Sequence, residues 1–414
     1  MFKNIWRRPA MLPGLQTRRH DRAEADCPFP AKSGEDQIRE HISNHGKLQF
    51  SYACIILTFY KNQQCPFGDL SMTHPSMPEI SRLIYTNAGN AILALVANGG
   101  LLLWKWSQNE TNSSGKVTTK VAPQLWQPRG GLQMTSDLTC SNFDEVLPCF
   151  ALSKNDCYVI SASGAAVSLF NMMTLKKMKT FMAPPPAARC IAFYPSDNNI
   201  IAVGMDDSTI LIFNVRMDEV KSILEGHHDR ITGLAFSNLV NALVSCGADA
   251  EIVVWDSICW EKKKSRMLDI STEWFPSKLS ETHVQFHHDQ TLFLVVHETR
   301  LAIYEAEKLQ RVNEWIVGDF RAQICHATFS CDSQLIFASF LDGTVLVFSA
   351  SDLHTRCEIN PSAYLPADIS FNAYPLVIAA HPKEPNQFAL GLMDGGVVVI
   401  EPLESESKWY AATS

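Results

Sequence analysis

Short apolar runs recur along most of the chain, and polar turns separate them. From about residue 80 onward, one run ends in an aromatic residue, as at Phe193 and Phe236, and a polar turn follows. A second apolar run, a tight turn that often contains Asp, and a third run with a terminal aromatic residue complete the pattern. Runs of this length between turn residues predict β-strands rather than helices.

The ends of the third runs are regularly spaced. They lie at Trp104 (or Trp106), Phe170, Phe213, Trp255, Tyr304, Phe348 and, without the aromatic ring, Ile400. Successive spacings are 66, 43, 42, 49, 44 and 52 residues, and most lie near the roughly 40–45 residues of a four-stranded propeller blade. The sequence therefore predicts an all-β chain whose residues 80–412 form a seven-bladed β-propeller.

Two segments depart from the repeat. We predict that residues 1–79 form a largely disordered N-terminal extension, with a short helix near residues 33–44 and a possible strand. Residues 51–59 are apolar and β-branched, which makes them the best candidate for an outer strand that closes the ring. Residues 108–146 are polar and contain several Gly and Pro residues, so we predict a loop inserted between blades.

The tight turn before each third strand carries a short polar side chain in most repeats. The seven positions are Asn98, Gly164, Asp207, Asp249, Glu298, Asp342 and Asp394. Asp and Asn side chains accept hydrogen bonds from the amides of such turns. Six positions therefore predict turn acceptors, and Gly164 departs from the pattern.

The charge distribution bears on the kind of partner. The net charge is −8; residues 1–79 hold 10 Lys/Arg and 8 Asp/Glu, against 25 and 35 in the remainder. An acidic body argues against direct nucleic-acid binding, which needs clustered cations. The run Lys262–Lys264 is interpreted as a solvated loop. No apolar run approaches the roughly 18 residues of a membrane span, so we expect no membrane contact.

The sequence contains few candidate catalytic or metal-binding motifs. The 12 cysteines form no C-x-x-C pair, which favours buried free thiols over a metal site. His283, His287, His288 and Asp289 could suggest a metal site, but the position of these residues in the repeat favours a polar turn. No nucleophile elbow and no phosphate-binding glycine loop occurs. We expect no cofactor and no enzymatic activity; the alternative is a propeller enzyme whose ionisable residues converge at the mouth of the channel.

Residues 226–256 closely resemble the WD-repeat consensus. In that family a Gly-His pair, a strand Ser, a turn Asp and a Trp form a hydrogen-bonded tetrad. Carried over by position, the resemblance implies a structural tetrad of His227, Ser245, Asp249 and Trp255.

Several stretches resemble a narrower family. Residues 80–95, 148–156, 197–209, 230–237 and 360–366 are similar to the C-terminal propeller of the TOPLESS family of plant transcriptional corepressors. The resemblance covers about residues 80–412. It implies a nuclear protein-interaction scaffold whose partners are transcription factors and chromatin-silencing proteins, including histone deacetylase complexes.

Residues 1–79 do not resemble what precedes this propeller in the family. Its members carry an N-terminal LisH and CTLH region and a first propeller, and the N-terminal region tetramerises and binds repression motifs. We therefore expect a truncated corepressor paralogue, a partial gene product or a flawed gene model, and tetramerisation and motif binding do not carry over to this chain. Such a chain is expected to repress weakly by itself, because linked binding sites raise avidity by about 10²–10⁴.

Overall fold

The computed structural model describes residues 54–59, 79–97, 99–126, 132–133, 148–163, 166–182, 187–269, 282–318, 321–361 and 374–402. All of them lie in one compact unit, Gln49–Ser414. Within these ranges the chain forms 29 strands, β1 to β29, in seven sheets. The helix predicted near residues 33–44, like the rest of the extension except β1, lies outside the described residues.

Each sheet is one blade whose strands are hydrogen-bonded in antiparallel order. Blade 1 comprises β2 Ile80–Tyr85, β3 Ala91–Val96, β4 Gly100–Lys105, β5 Gln124–Leu125 and β6 Leu132–Gln133. Blade 2 comprises β7 Cys149–Leu152, β8 Tyr158–Ser163, β9 Ala166–Asn171 and β10 Lys176–Met182. Blade 3 comprises β11 Ala188–Phe193, β12 Ile200–Met205, β13 Ile210–Asn214 and β14 Glu219–Leu224.

Blades 4 to 7 follow the same plan. Blade 4 comprises β15 Ile231–Ser237, β16 Ala242–Gly247, β17 Glu251–Asp256 and β18 Lys262–Met267, and blade 5 comprises β19 His283–Phe286, β20 Leu292–His297, β21 Arg300–Glu305 and β22 Gln310–Ile316. Blade 6 comprises β23 Ile324–Phe329, β24 Leu335–Phe340, β25 Val345–Ser349 and β26 Thr355–Ile359. Blade 7 comprises β27 Pro375–Ala380, β28 Phe388–Leu392, β29 Val397–Pro402 and β1 Cys54–Phe59. The prediction of an all-β, seven-bladed propeller is confirmed.

Strand β1 closes the ring. The innermost strands of neighbouring blades contact one another all the way round, from β2 through β27 and back to β2. Blade 7 takes its outermost strand from the opposite end of the sequence, because β1 pairs antiparallel with β29 from Cys54↔Pro402 to Phe59↔Val397. The expectation that residues 51–59 supply this strand is confirmed for residues 54–59.

The recurring aromatic residues share one register position. Each lies opposite the second residue of the preceding strand, as in Ile92↔Trp104, Ile201↔Phe213 and Leu243↔Trp255. Blades 2, 5 and 6 repeat this pairing at Phe170, Tyr304 and Phe348, and in blade 7 Ile400 lies opposite Phe388, the first residue of β28. Trp104 rather than Trp106 therefore holds the repeat position in blade 1.

The core lies between blades rather than within them. One apolar cluster joins Val244 and Val254 of blade 4 to Phe293 and Tyr304 of blade 5, all of them buried. A blade is covered by its neighbours on both faces, so its central strands are mostly apolar and are buried at every position instead of alternating. Strands β3, β12, β16 and β24 accordingly have every residue buried.

One local prediction was wrong. Residues 262–264 belong to strand β18, the exposed outer strand of blade 4, and do not form a loop. Lysine is suited to such an edge because its charge discourages pairing with another chain. The predicted insertion at residues 108–146 contains β5 and β6, two short strands that complete blade 1.

The insertion also holds blade 1 against blade 7. The Lys116 ammonium lies 2.7 Å from the Glu384 carboxylate, and Gln387 Nε2 donates a 3.0 Å hydrogen bond to the Val117 carbonyl.

Among the described residues, no helix is long and apolar enough to cross a membrane.

Candidate functional site

Blade 4 brings the four residues of the WD-type tetrad together. Trp255 Nε1 donates to Ser245 Oγ at 2.8 Å, and Ser245 Oγ lies 2.7 Å from His227 Nε2. His227 Nδ1 lies 3.0 Å from Asp249 Oδ2. The four side chains form one chain of hydrogen bonds that links β17, β16 and the turn between them to the segment before β15.

Hydrogen-bonding roles in the tetrad follow from its chemistry. A carboxylate only accepts, so His227 carries its proton on Nδ1 and its Nε2 accepts from the Ser245 hydroxyl. Burial, the largest influence, raises the pKa of Asp249, but the hydrogen bonds from His227 and from the amides of His228 and Glu251 together lower it below its ordinary value. The carboxylate is thereby held ionised.

Gly247 gives the tetrad its room. A Cβ atom at this position would lie 2.6 Å from Asp249 Oδ1 and 3.0 Å from His227 Nδ1. Sequence reasoning missed this residue, since glycine also occurs at strand ends where bulges or ordinary turns require it.

A metal ion does not fit at the tetrad. Ligand atoms of His227, Asp249 and Glu251 lie within 4.8 Å of one another. Both His227 nitrogens are hydrogen-bonded, however, and the Lys262 ammonium lies 3.3 Å from Glu251 Oε1, where it neutralises the carboxylate. The group is better described as a polar framework of the blade.

The predicted turn acceptors behave alike in three further blades. Asp207 and Asp342 accept the amides of Thr209 and Thr344 at 3.1 and 2.9 Å. Asp394 accepts the Gly396 amide at 2.9 Å, as Asp249 accepts that of Glu251 at 3.0 Å. The residue after each Asp has a positive φ, namely Ser208, Ala250, Gly343 and Gly395.

Glu298 is not equivalent to these aspartates. Four residues separate the paired positions Val296 and Leu301 in blade 5, whereas five separate Cys246 and Ile252 in blade 4. In this shorter turn His297 Nδ1 accepts the Thr299 amide at 3.2 Å. Asn98 and Gly164 lie outside the described residues.

The histidine-rich segment of blade 5 has two parts, a polar turn and a strand residue that lines the channel. Asp289 Oδ1 accepts the Thr291 amide at 2.9 Å and lies 3.1 Å from His287 Nδ1, so residues 287–289 form the polar turn that the sequence predicts. His283, by contrast, lies in β19 and lines the central channel.

One register level of the innermost strands surrounds this channel. Each residue at this level pairs with the equivalent position of the second strand, as in Cys190↔Gly204 and His326↔Ser339. The seven residues are Arg82, Cys149, Cys190, Gly233, His283, His326 and Val377, and all line a cavity of about 400 Å³. We call them the channel ring.

One face of the propeller carries an apolar arc. The third turns of blades 2 to 4 expose Met173, Met217 and Ile258, with 80%, 64% and 68% of their surface accessible. The same turn in blade 5 carries Glu307 and Lys308 instead. We call Met173, Met217 and Ile258 the apolar arc.

The first and third turns of every blade lie on this face, because consecutive strands are antiparallel. Hydrogen bonds between first turns of neighbouring blades, from the Asn87 amide to Asp156 Oδ1 and from the His288 amide to Ser333 Oγ, show that the blades share one orientation. The apolar arc therefore runs across three adjacent blades.

The fold and the tetrad define a WD-repeat β-propeller. The WD domain, G-beta repeat family matches residues 218–256, the part of the chain that contains the tetrad. The chain is 62% identical over 335 residues to Topless-related protein 1 and to Protein TOPLESS, both of Arabidopsis thaliana. It is 63% identical over 331 residues to Protein TPR3 of Oryza sativa subsp. japonica.

These alignments cover 80–81% of the chain. The chain is thus related to the TOPLESS family over four fifths of its length, and the resemblance seen in the sequence is confirmed. The chain spans about 30% of the length of these relatives.

Proposed function

We propose that this chain is a non-enzymatic protein-interaction scaffold that acts in the nucleus in transcriptional corepression. The observation that carries the proposal is the 62% identity to TOPLESS over 81% of the chain. The polar groups of the WD tetrad are bonded to one another, which leaves the turns of the propeller as the surface that partners meet. By family resemblance, those partners are transcription factors and chromatin-silencing proteins such as histone deacetylase complexes.

The apolar arc is the part of that surface best suited to a protein partner. Exposed apolar side chains grouped on one side of a soluble domain commonly mark interaction sites. Methionine adapts its shape to different partners, since it is unbranched and polarizable. The same face turns polar at blades 5 and 6, which gives a matched surface for comparison.

Tethering the chain to a reporter promoter through a foreign DNA-binding domain tests the proposal. We expect measurable repression, weaker than that of Protein TOPLESS tethered in the same way. A triple variant, Met173→Ser with Met217→Ser and Ile258→Ser, should lose it. The control triple variant, Glu307→Ser with Lys308→Ser and Asp352→Ser, should retain it.

One outcome would contradict the corepressor role, and another would exclude only the apolar arc. Absence of repression by the correctly folded parent would remove the corepressor role. Equal repression by both triple variants would leave the corepressor role standing and exclude the apolar arc as the contact surface. Melting temperatures of the variants, measured first, separate loss of contact from loss of fold.

The alternative, an enzyme with its active site at the mouth of the channel, predicts that several ionisable residues converge there. The described lining of the channel contains histidines, cysteines and an arginine but no Asp or Glu. General acid–base catalysis usually relies on groups whose pKa values are driven apart, often with a carboxylate partner. The described lining offers no such carboxylate partner.

A further inference from the structure

The second turn of each blade, which joins its second and third strands, lies on the face opposite the apolar arc, because consecutive strands are antiparallel. In five blades the first residue of this turn donates its amide to the carbonyl of the residue before the first strand. The donors are Ala97, Asp206, Ala248, Leu341 and Met393. Since the hydrogen bond is the same in all five blades, the fold itself does not require a large side chain at this position.

Blades 6 and 7 nevertheless expose large apolar side chains there. Leu341 and Met393 are 46% and 45% exposed, where blades 1 and 4 have alanine and blade 3 has aspartate. Tyr374 lies between the two turns. Its carbonyl accepts the Met393 amide at 3.0 Å, and a Cβ atom at Gly343 would lie 3.5 Å from its ring carbon Cδ1. Leu341, Tyr374 and Met393 therefore form one partly exposed apolar surface across two neighbouring blades.

Asp342 adds a carboxylate to this surface. Its Oδ1 accepts the amide and the hydroxyl of Thr344 at 2.9 and 2.7 Å. Both bonds use the same oxygen and the residue is exposed, so Oδ2 can accept a hydrogen bond from a partner. We call Leu341, Asp342, Tyr374 and Met393 the Tyr374 patch.

The turns on the same face carry the same sign of charge. The described residues of the second turns include six acidic residues and neither Lys nor Arg; they are Asp206, Asp207, Asp249, Glu298, Asp342 and Asp394. Arg189 and Arg321, which come from neighbouring segments, are paired with Asp206 at 2.6 Å and with Glu358 at 3.2 Å. A surface with one sign of charge steers a partner of opposite charge to it. The patch therefore favours a cationic partner.

We propose that the Tyr374 patch docks a basic segment of a partner protein, with an arginine side chain between Tyr374 and Asp342. Arginine meets both requirements of the patch, because its planar guanidinium stacks on aromatic rings and pairs with carboxylates. Its methylene stem covers apolar side chains such as Leu341, and an apolar neighbour in the partner covers Met393. The patch and the apolar arc lie on opposite faces, so docking here does not depend on the corepressor role.

The experiment uses a fluorescein-labelled peptide of alternating Arg and Leu, titrated with the full-length chain and followed by fluorescence anisotropy. Asp342→Asn keeps the Oδ1 acceptor of the turn but removes the charge. We expect about fivefold weaker binding, the upper range for a partly exposed ion pair. Asp207→Asn is the matched control and should bind as the parent does, since Asp207 Oδ1 accepts the Thr209 amide and hydroxyl in the same way but lies in blade 3.

A double variant tests the apolar part of the patch. Leu341→Ala with Met393→Ala introduces the residue that blades 1 and 4 carry at this position, so the fold should tolerate it. Binding should weaken by about tenfold or more, because the peptide then covers less apolar surface. Met173→Ala with Met217→Ala, on the opposite face, should bind as the parent does. Melting temperatures, measured first, show which variants are folded.

Weaker binding by Asp342→Asn and by the Leu341 and Met393 double variant, with both controls unchanged, supports the patch. The affinity of Asp342→Asn should also depend less on salt than that of the parent. No anisotropy change with the parent overturns the proposal. Equal losses in Asp342→Asn and Asp207→Asn also overturn it, because the peptide would then respond only to the general charge of the face. Equally tight binding of a peptide of alternating Arg and Ser overturns it too, since no apolar contact would be made. If the double variant does not fold, the two asparagine variants and the two peptides decide.

Discussion

His381 Nε2 donates a 3.1 Å hydrogen bond to the carbonyl oxygen of Gly89 and so joins the last blade to the first. His381 Nδ1 accepts the amides of Lys383 and Glu384 at 3.1 and 2.9 Å. This histidine therefore works as a neutral imidazole with one donor and one acceptor. Protonation would replace its acceptor with a second donor and break the turn that follows.

Stability is expected to fall in mild acid. Burial, the largest influence, lowers the pKa of His381 below its ordinary value, although the Gly89 hydrogen bond opposes the change. The unfolded chain thus binds a proton at higher pH than the folded chain. The stabilisation is complete above the unfolded pKa of about 6.5 and is lost as the pH falls below it. The pKa values of His297 and His326 are lowered too, in each case chiefly by burial. Melting temperatures between pH 7.5 and 5.5 would measure the decline.

A pair of variants assigns part of this decline to the seam between blades 7 and 1. His381→Gln keeps a donor and an acceptor but removes the titration, so its melting temperature should depend less steeply on pH. His354→Gln, at an exposed position, should retain the parent profile. Identical pH profiles for parent and His381→Gln would show that this histidine does not contribute.

Removing the indole of the tetrad should severely destabilise the propeller. Trp255 is 2% exposed, and replacing a buried aromatic residue with alanine typically costs about 3–5 kcal/mol. Trp255→Phe should cost less stability, because phenylalanine fills most of the space of the indole. It should still cost some, because Ser245 loses its indole donor. Trp126, which is 50% exposed, supplies the control: Trp126→Ala should stay within about 0.5 kcal/mol of the parent. Urea unfolding would measure all three, and a Trp255→Ala variant as stable as Trp126→Ala would refute the structural role.

Gly247→Ala should disturb the tetrad without removing any of its members. The added Cβ would lie 2.6 Å from Asp249 Oδ1 and 3.2 Å from the Arg230 carbonyl, and overpacking of this kind costs about 1–3 kcal/mol. Gly318→Ala is the matched control, because its Cβ would meet nothing within 4 Å. Differential scanning calorimetry should show a lower melting temperature for Gly247→Ala alone. Equal melting temperatures would mean that the turn relaxes freely.

The blade repeat could be predicted because its aromatic residues share one register position. Trp255 and Phe213 both end a third strand opposite a buried strand residue, so their spacing in the sequence directly measures the size of a blade. Glu298 does not occupy the register position of the turn aspartates, because its turn is one residue shorter. A count along the chain cannot reveal such a deletion, whereas the pairing of Val296 with Leu301 does.

The channel ring could not be read from the sequence. Arg82 and His326 lie in different blades, and they line one cavity only once the ring has closed. The apolar arc was missed for a related reason. Met217 and Ile258 stand in turns that look ordinary one at a time, and their alignment depends on the common orientation of the blades.

Deleting β1 should open the ring. Blade 7 has β1 as its outermost strand, and Leu57, opposite Val399, packs against the apolar cluster shared by blades 1 and 7. A chain that lacks residues 1–59 would expose the hydrogen-bonding edge of β29, which is buried from Val397 to Ile400. An apolar open edge of this kind promotes pairing between chains. We therefore expect a lower melting temperature and concentration-dependent aggregation in light scattering. The control lacks only residues 1–48, which fall outside the compact unit that contains the propeller, and it should match the parent. If both deletions behave as the parent does, another segment completes blade 7 and β1 is dispensable.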